Sequence, residues 1–294
     1  MGYYLQQLKN GLVIPESYCE WEDYRNKVTE FILTNQKKKS IVILGAGPSN
    51  DIDLKKLSLH YEEIYLVDNR TEVMQEAVKN YDLEGNKKIK LITCDFWEFP
   101  PMALEGLEEC LQQKEEMSFL CQYVEEMQQW AYHNTAYPMI DADAEVVVIG
   151  IHSQFNSGIE ALLYYYKEHY KIDENGVLAV LRKWNKIAIE KFHEYLFGHF
   201  SSICLGYEYS SYKNEEEYRK LCEIASLFAK GQGQIARNIV VSRVDGAYEA
   251  EQDLSKRIGQ RKVAISALQY EFWNFSKLKG YLMCLYYVIK TDAS

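Results

Sequence analysis

Ile41-Val42-Ile43-Leu44-Gly45-Ala46-Gly47-Pro48-Ser49-Asn50-Asp51 is the stretch whose reading decides the fold. A short run of β-branched residues, closed by Gly and Pro, predicts a central strand covered on both faces. Gly45 and Gly47 can take backbone angles that other residues avoid, and they let a ligand come close to the main chain. Residues 51–57 then read as the first turns of a helix. Strand, glycine turn and helix start make a nucleotide-binding corner. The rest of the chain must say which nucleotide.

Further strands follow at regular intervals. Residues 63–67 form a second, ending at Asp68-Asn69-Arg70, with a helix over 71–81. Residues 89–93 form a third, ending at Cys94-Asp95-Phe96-Trp97. Residues 145–149 form a fourth, ending at Gly150-Ile151-His152-Ser153-Gln154. Ile159, Leu162, Leu163 and Tyr166 mark the next helix. After the turn Glu174-Asn175-Gly176, residues 177–181 read as a fifth strand ending at Arg182-Lys183-Trp184, followed by a helix over 186–197. Strands alternating with helices imply a parallel sheet with right-handed crossovers. Ligands bind such sheets at the carboxyl ends of the strands, where the strand order reverses.

The flanks are less regular. Ser17 and Glu20 make a capping-box pattern, and a helix is expected over 20–35. The preceding arm, 3–14, is a candidate flap over the site. Residues 1–39 thus form an N-terminal helical arm before a domain spanning 40–294. Within that domain, 100–140 is a helical insertion, either a cap over the cleft or a longer crossover on the flank. A second, less regular insertion covers 205–261, with a helix over 215–230 and a short strand over 239–244. Segments 263–272 and 281–290 close the chain as an antiparallel hairpin.

Composition narrows the classes. The longest apolar runs, 146–151 and 281–289, fall well short of the roughly 20 residues that a membrane helix needs. Neither a basic leader nor an apolar core marks the N-terminus, so a cytoplasmic location is expected. The net charge of −10 argues against a general nucleic-acid binder, which needs a basic surface. The seven cysteines include no C-x-x-C pair, so neither a zinc site nor a disulfide framework is expected. The 24 tyrosines fit ordinary packing or the lining of a semi-polar pocket.

The strand ends carry the chemistry. Asp68 lies about 20 residues beyond the glycines, where a carboxylate can accept both hydroxyls of a ribose. Asp95, beside Phe96 and Trp97, suits an adenine: the acid accepts the exocyclic amino group and an aromatic covers the ring. Each also has a plain reading, Asp68 as a helix cap and Asp95 as a loop acid.

The order Gly45-x-Gly47, Asp68, Asp95-Phe96, a polar fourth-strand tip and a closing hairpin resembles the class I S-adenosylmethionine-dependent methyltransferases. The resemblance covers roughly residues 40–99, 145–184 and 263–290. It implies an α/β, Rossmann-like, seven-stranded and mostly parallel sheet with an antiparallel C-terminal hairpin, flanking helices and a helical insertion. It implies S-adenosylmethionine as cofactor. Gly45, Ala46 and Gly47 would pass under its methionine part. Asp68, with Asn69 beside it, would hold the ribose. Asp95 and the Phe96 backbone would read the adenine, and Gly150 to Gln154 would face the methyl group and the substrate. The chain departs from the family at Ile43, where an acid is usual, and at Ser49, where a third glycine is common. Asp51 is the candidate replacement for the missing carboxylate near the cofactor's amino group.

His152 stands where a general base would, directly after the fourth strand, though a packed histidine fits the pattern too. Gln154 and Asn156 are candidates to orient a polar substrate. The fourth strand lacks an Asn-Pro-Pro-Tyr or Asp-Pro-Pro-Tyr motif, which disfavours amino-group methylation of bases by that pattern. Arg182, Arg237 and Arg243 flank strand ends and are candidate anion contacts. The expected function is methyl transfer to a small-molecule acceptor. A non-catalytic S-adenosylmethionine-binding module is the first alternative. An NAD(P)-dependent oxidoreductase is the second, and it would want a glycine where Asn50 stands.

Overall fold

A computed structural model describes residues 16–170 and 174–291. The arm at 3–14 lies outside them. Seven strands form one sheet: β1 (Ser40–Leu44), β2 (Glu63–Asp68), β3 (Ile89–Thr93), β4 (Glu145–Ile149), β5 (Ser202–Tyr212), β6 (Val263–Ser276) and β7 (Lys279–Lys290). Their order is β3-β2-β1-β4-β5-β7-β6. The first five run parallel, and β7 lies antiparallel between β5 and β6. This is the Rossmann-like sheet with a reversed terminal hairpin that the resemblance implies. The strand order reverses between β1 and β4, so the glycine turn after β1 sits at the switch point.

The alternation of side chains explains the layering. Val42 and Leu44 of β1 point to one face, and Ile41 and Ile43 to the other. All four are buried because helices cover both faces. On the Ile41 face lie α2 (Glu22–Asn35), which follows the single turn α1 (Ser17–Glu20), then α3 (Leu54–His60) and α4 (Thr71–Asn80). The helical pair α5 (Ala103–Gln113) and α6 (Met117–Asn134) packs with α7 (Ser157–Tyr170) and the start of α8 (Asn175–His199) into a core of its own. The Val42 face is covered by the rest of α8, by α9 (Glu215–Ala229) and, after the short α10 (Gly233–Asn238), by α11 (Ala247–Gly259).

Four sequence expectations need correction. Residues 177–181 are not a strand but part of the first turns of α8. Val177 and Leu181 are one helical turn apart and both buried, and a five-residue apolar run does not distinguish a strand from a buried helix. The fifth strand is Ser202–Tyr212, so the segment from 205 expected to be an irregular insertion begins inside the sheet. Residues 239–244 make only one bridge, Arg243 to Ser210, against the part of β5 that runs on past β4. The helix after the glycine turn begins at Leu54, because Asp53 caps it by accepting from the Lys56 amide at 3.0 Å.

Candidate functional site

The glycine turn is held from several sides. The Gly45 and Ala46 amides both donate to the Val67 carbonyl of β2, at 2.8 and 3.0 Å. Gly45 and Gly47 have φ of +69° and +47°. A Cβ on Gly45 would strike the Ile151 side chain at 2.8 Å, while one on Gly47 would meet open space. The turn is therefore packed below and open above, as a cradle for a ligand must be. Ser49 itself takes the left-handed conformation, φ +50°, and its Oγ donates to the Ala46 carbonyl at 3.1 Å. Arg25 donates from α2 to the Asn50 carbonyl at 3.1 Å, and the Tyr81 hydroxyl donates to the Ser49 and Ile52 carbonyls.

The acids of the next two strands lie alongside. Asp68 Oδ2 accepts from the Gly47 amide at 2.9 Å, and Oδ1 accepts from the Arg70 amide at 3.1 Å. Asp95 Oδ1 accepts from the Trp97 amide at 3.1 Å. Asn69 Nδ2 donates to Asp95 Oδ2 at 3.4 Å, so it joins the two acids. Gly47, Asp68, Asn69 and Asp95 thus form one line across the tips of β1, β2 and β3. The Phe96 ring is buried against Phe192, with ring centroids 5.5 Å apart.

On the other side of the turn stands an acid that sequence reasoning missed. Glu208 is buried on β5. Its Oε1 accepts from Ser153 Oγ at 2.8 Å and would lie 3.4 Å from a Cβ on Gly150, which has φ of +66°. Its Oε2 is buried and unpartnered among the described residues, as are the Tyr24 hydroxyl and Asn50 Oδ1. Burial pushes the Asp51 carboxyl up to about 6; Arg25 opposes the rise and Glu208 adds to it. Burial likewise raises Glu208, against the hydrogen bond from Ser153. Buried Glu208 and Tyr24, with half-buried Asp51 near them, therefore form an acid-rich corner in which Glu208 Oε2 and the Tyr24 hydroxyl have unmet hydrogen-bonding capacity. The one local signal was the lone Glu in Leu205-Gly206-Tyr207-Glu208, hidden by the misplaced fifth strand.

The remaining candidates fall elsewhere. His152 is buried, its Nε2 3.1 Å from His193 Nε2. Gln154 is exposed, and its Nε2 donates to Ser153 Oγ at 3.2 Å. Asn156 is locked between Gln128 and Asn185 at 2.5 Å each, and so is not free to orient a substrate. Arg243 donates to the Tyr209 carbonyl and pairs with Glu251, which makes it a structural clamp. Arg182 and Arg237 are exposed on α8 and α10. A cavity of about 520 Å³ opens at the hairpin tip beside Tyr212, Tyr218 and Lys279, away from the glycine turn. The chemistry of the strand tips, rather than the size of that cavity, marks the candidate site.

Glu160 on α7 adds a pH dependence. Burial, then the nearby Asp245, push its carboxyl from 4.5 up to about 7, against a hydrogen bond from Asn185. Between those values the folded chain keeps a proton that the unfolded chain releases, so stability falls as pH rises from 4.5 to about 7. Glu160→Gln should flatten that decline in urea midpoint. A variant whose midpoint falls as steeply as wild type would assign the decline to other groups.

No protein-family model matches the sequence, and none of the curated proteins matches it. Solved structures are similar in shape. The N-methyltransferase NodS from Bradyrhizobium japonicum is 10% identical over 98% of each chain, with a TM-score of 0.46. Magnesium protoporphyrin IX methyltransferase, ChlM, from Synechocystis is 10% identical over 99% of this chain and 94% of that one, with a TM-score of 0.43. TrmK from M. capricolum is 11% identical over 92% and 68%, with a TM-score of 0.35. Similarity at this level assigns no function to the chain.

Proposed function

We propose that this chain binds S-adenosylmethionine and transfers its methyl group to a small-molecule acceptor. The observation that carries the proposal is the row of acceptors on either side of the glycine turn. Asp68 and Asp95 stand at adjacent strand tips, and buried Glu208 keeps an open oxygen on β5 just past the end of β4. A nucleoside with an amino-acid tail matches that row. Asp68 would accept the ribose hydroxyls, Asp95 the adenine amino group, and Asp51 with Glu208 the positive charges of the tail. The cofactor supplies a methyl group made reactive by its sulfonium. The protein's share is to hold and orient, and such positioning is worth up to about 7–11 kcal/mol. The net charge of −10 favours a small acceptor over a nucleic acid.

The turn also argues against a dinucleotide. A pyrophosphate needs a free helix N-terminus. Here Asp53 already occupies the N-terminus of α3, and Asp51 stands beside it. Titration calorimetry with S-adenosylmethionine, S-adenosylhomocysteine and NAD is the test. Both sulfur nucleosides should bind and NAD should not; the opposite pattern would overturn the proposal. Binding without transfer across a broad acceptor panel would instead favour a non-catalytic binding module.

A further inference from the structure

We infer that His152, His193 and Asp253 form a proton relay that serves a hydroxyl-bearing methyl acceptor, with Nδ1 of His152 as the base. The inference rests on the methyltransferase reading and adds to it the class of acceptor.

The chain of contacts begins on α11. Arg257 Nε donates to Asp253 Oδ2 at 2.5 Å, and His193 Nδ1 lies 2.7 Å from the same oxygen. Burial works to raise the Asp253 carboxyl, but the hydrogen bonds from His193 and Arg257 outweigh it and hold the group below its usual range. Asp253 is therefore the acceptor, and His193 carries its proton on Nδ1. Burial pushes both imidazoles down, so at neutral pH each ring has a single N–H. His193 Nε2 is then a bare lone pair. It accepts from His152 Nε2 across 3.1 Å, which leaves His152 Nδ1 as a second bare lone pair.

That nitrogen is buried and has no hydrogen-bond partner among the described residues. Phe155, Phe192 and Tyr207 wall the ring edge-on, at centroid distances of 6.4, 5.7 and 4.8 Å. The Tyr207 hydroxyl is unpartnered as well. A buried acceptor left open is rare and calls for an occupant or a role. His152 also lies two residues beyond Gly150, at the tip of the strand beside the switch point. The charged and titratable groups around the relay are Tyr207 from β5 and Glu251, Asp253 and Arg257 from α11.

The proton balance favours a hydroxyl. As the acceptor oxygen bonds to the methyl carbon, its O–H bond breaks and the sulfur keeps the pair of the broken S–C bond. The proton passes to His152 Nδ1, and the Nε2 proton passes to His193. The positive charge then rests against Asp253. A thiol ionises readily and an amine attacks through a lone pair, so neither needs a base in the transition state. An alcohol or phenol does.

Two measurements test this on the full chain. Nitrogen-15 histidine spectra should show His152 with a bare Nδ1 and a protonated Nε2, and Asp253→Asn should mix the tautomers. A protonated Nδ1 in the wild type would overturn the relay whatever the cofactor. Transfer from S-adenosylmethionine is then followed to catechol, which is neutral, and to 4-nitrophenol at alkaline pH, where it is already ionised. His152→Gln should bind S-adenosylhomocysteine within about threefold of wild type and lose about 100-fold on catechol but under about fivefold on 4-nitrophenol. Equal losses on both acceptors, or no transfer to either by a wild type that binds the cofactor, would overturn the inference. Failure of the wild type to bind S-adenosylhomocysteine would instead remove the methyltransferase reading. If His152→Gln does not fold, Asp253→Asn takes its place in the same comparison.

Discussion

Asp68→Ala should weaken S-adenosylhomocysteine binding by about 100-fold or more, with unfolding close to that of wild type. Two carboxylate oxygens offer about four acceptor sites. The Gly47 and Arg70 amides take two of these, which leaves two for the ribose hydroxyls. A hydrogen bond to a charged acceptor contributes about 1.5–3 kcal/mol, so losing a pair costs at least about 3 kcal/mol. The cost to folding is smaller, because Gly47 is only partly buried and water can replace the lost acceptor. Calorimetry and urea denaturation on the same variant separate the two effects. Asp68→Asn, which keeps one carbonyl oxygen, should fall between. Unchanged affinity in Asp68→Ala would show that the nucleoside does not sit at the β2 tip.

Gly246→Ala should cost about 3 kcal/mol of stability. Gly246 has φ +76° and ψ −54°, and the Ala247 amide donates back to the Asp245 carbonyl at 2.9 Å. That is a tight γ-turn in a conformation that side chains avoid. A Cβ there would also lie 2.2 Å from the His152 carbonyl oxygen, which is backbone and cannot swing aside. Gly231→Ala is the control: it has φ +72°, and its Cβ would meet nothing within 4 Å. It should cost only the backbone term, about 1–2 kcal/mol. Equal costs for the two would mean that the segment over His152 lifts away without penalty.

Some of this architecture is written locally. The run at β1, the glycine pair and the acids after β2 and β3 each follow from a few neighbouring residues, and all stand at the strand tips the pattern indicates. The fifth strand was not legible. Its sequence, with Gly206, Glu208 and serines, lacks a simple alternation, whereas the helical turn at 177–181 offers a cleaner apolar run. Glu208 was lost with it, because its partner Ser153 lies 55 residues away. The two departures in the glycine stretch also have physical explanations. Ser49 adopts the left-handed conformation itself and ties its hydroxyl to Ala46, so no third glycine is required. Ile43 packs into the core, and on the proposed function Asp51 and Glu208 would supply the carboxylates from elsewhere. His152 follows β4 as the sequence indicates, but its burial and its partners on α8 and α11 could not be read from its neighbours.

The anchoring of the glycine turn bears on the order in which the chain can fold. Arg25, which holds the Asn50 carbonyl, sits on α2. That helix rests on the closing hairpin: Trp21 Nε1 donates to the Phe275 carbonyl across 254 residues, and Tyr24 stacks on Trp273. A growing chain that has reached β4 already carries the strands bearing Asp68 and Asp95, but the hairpin that seats α2 has yet to be made. Contacts this distant in sequence carry a high loop-closure cost and form slowly. The Arg25 anchor, carried by a helix translated early, is therefore among the last to be secured, and until then the turn rests on its bonds to β2 and to Tyr81.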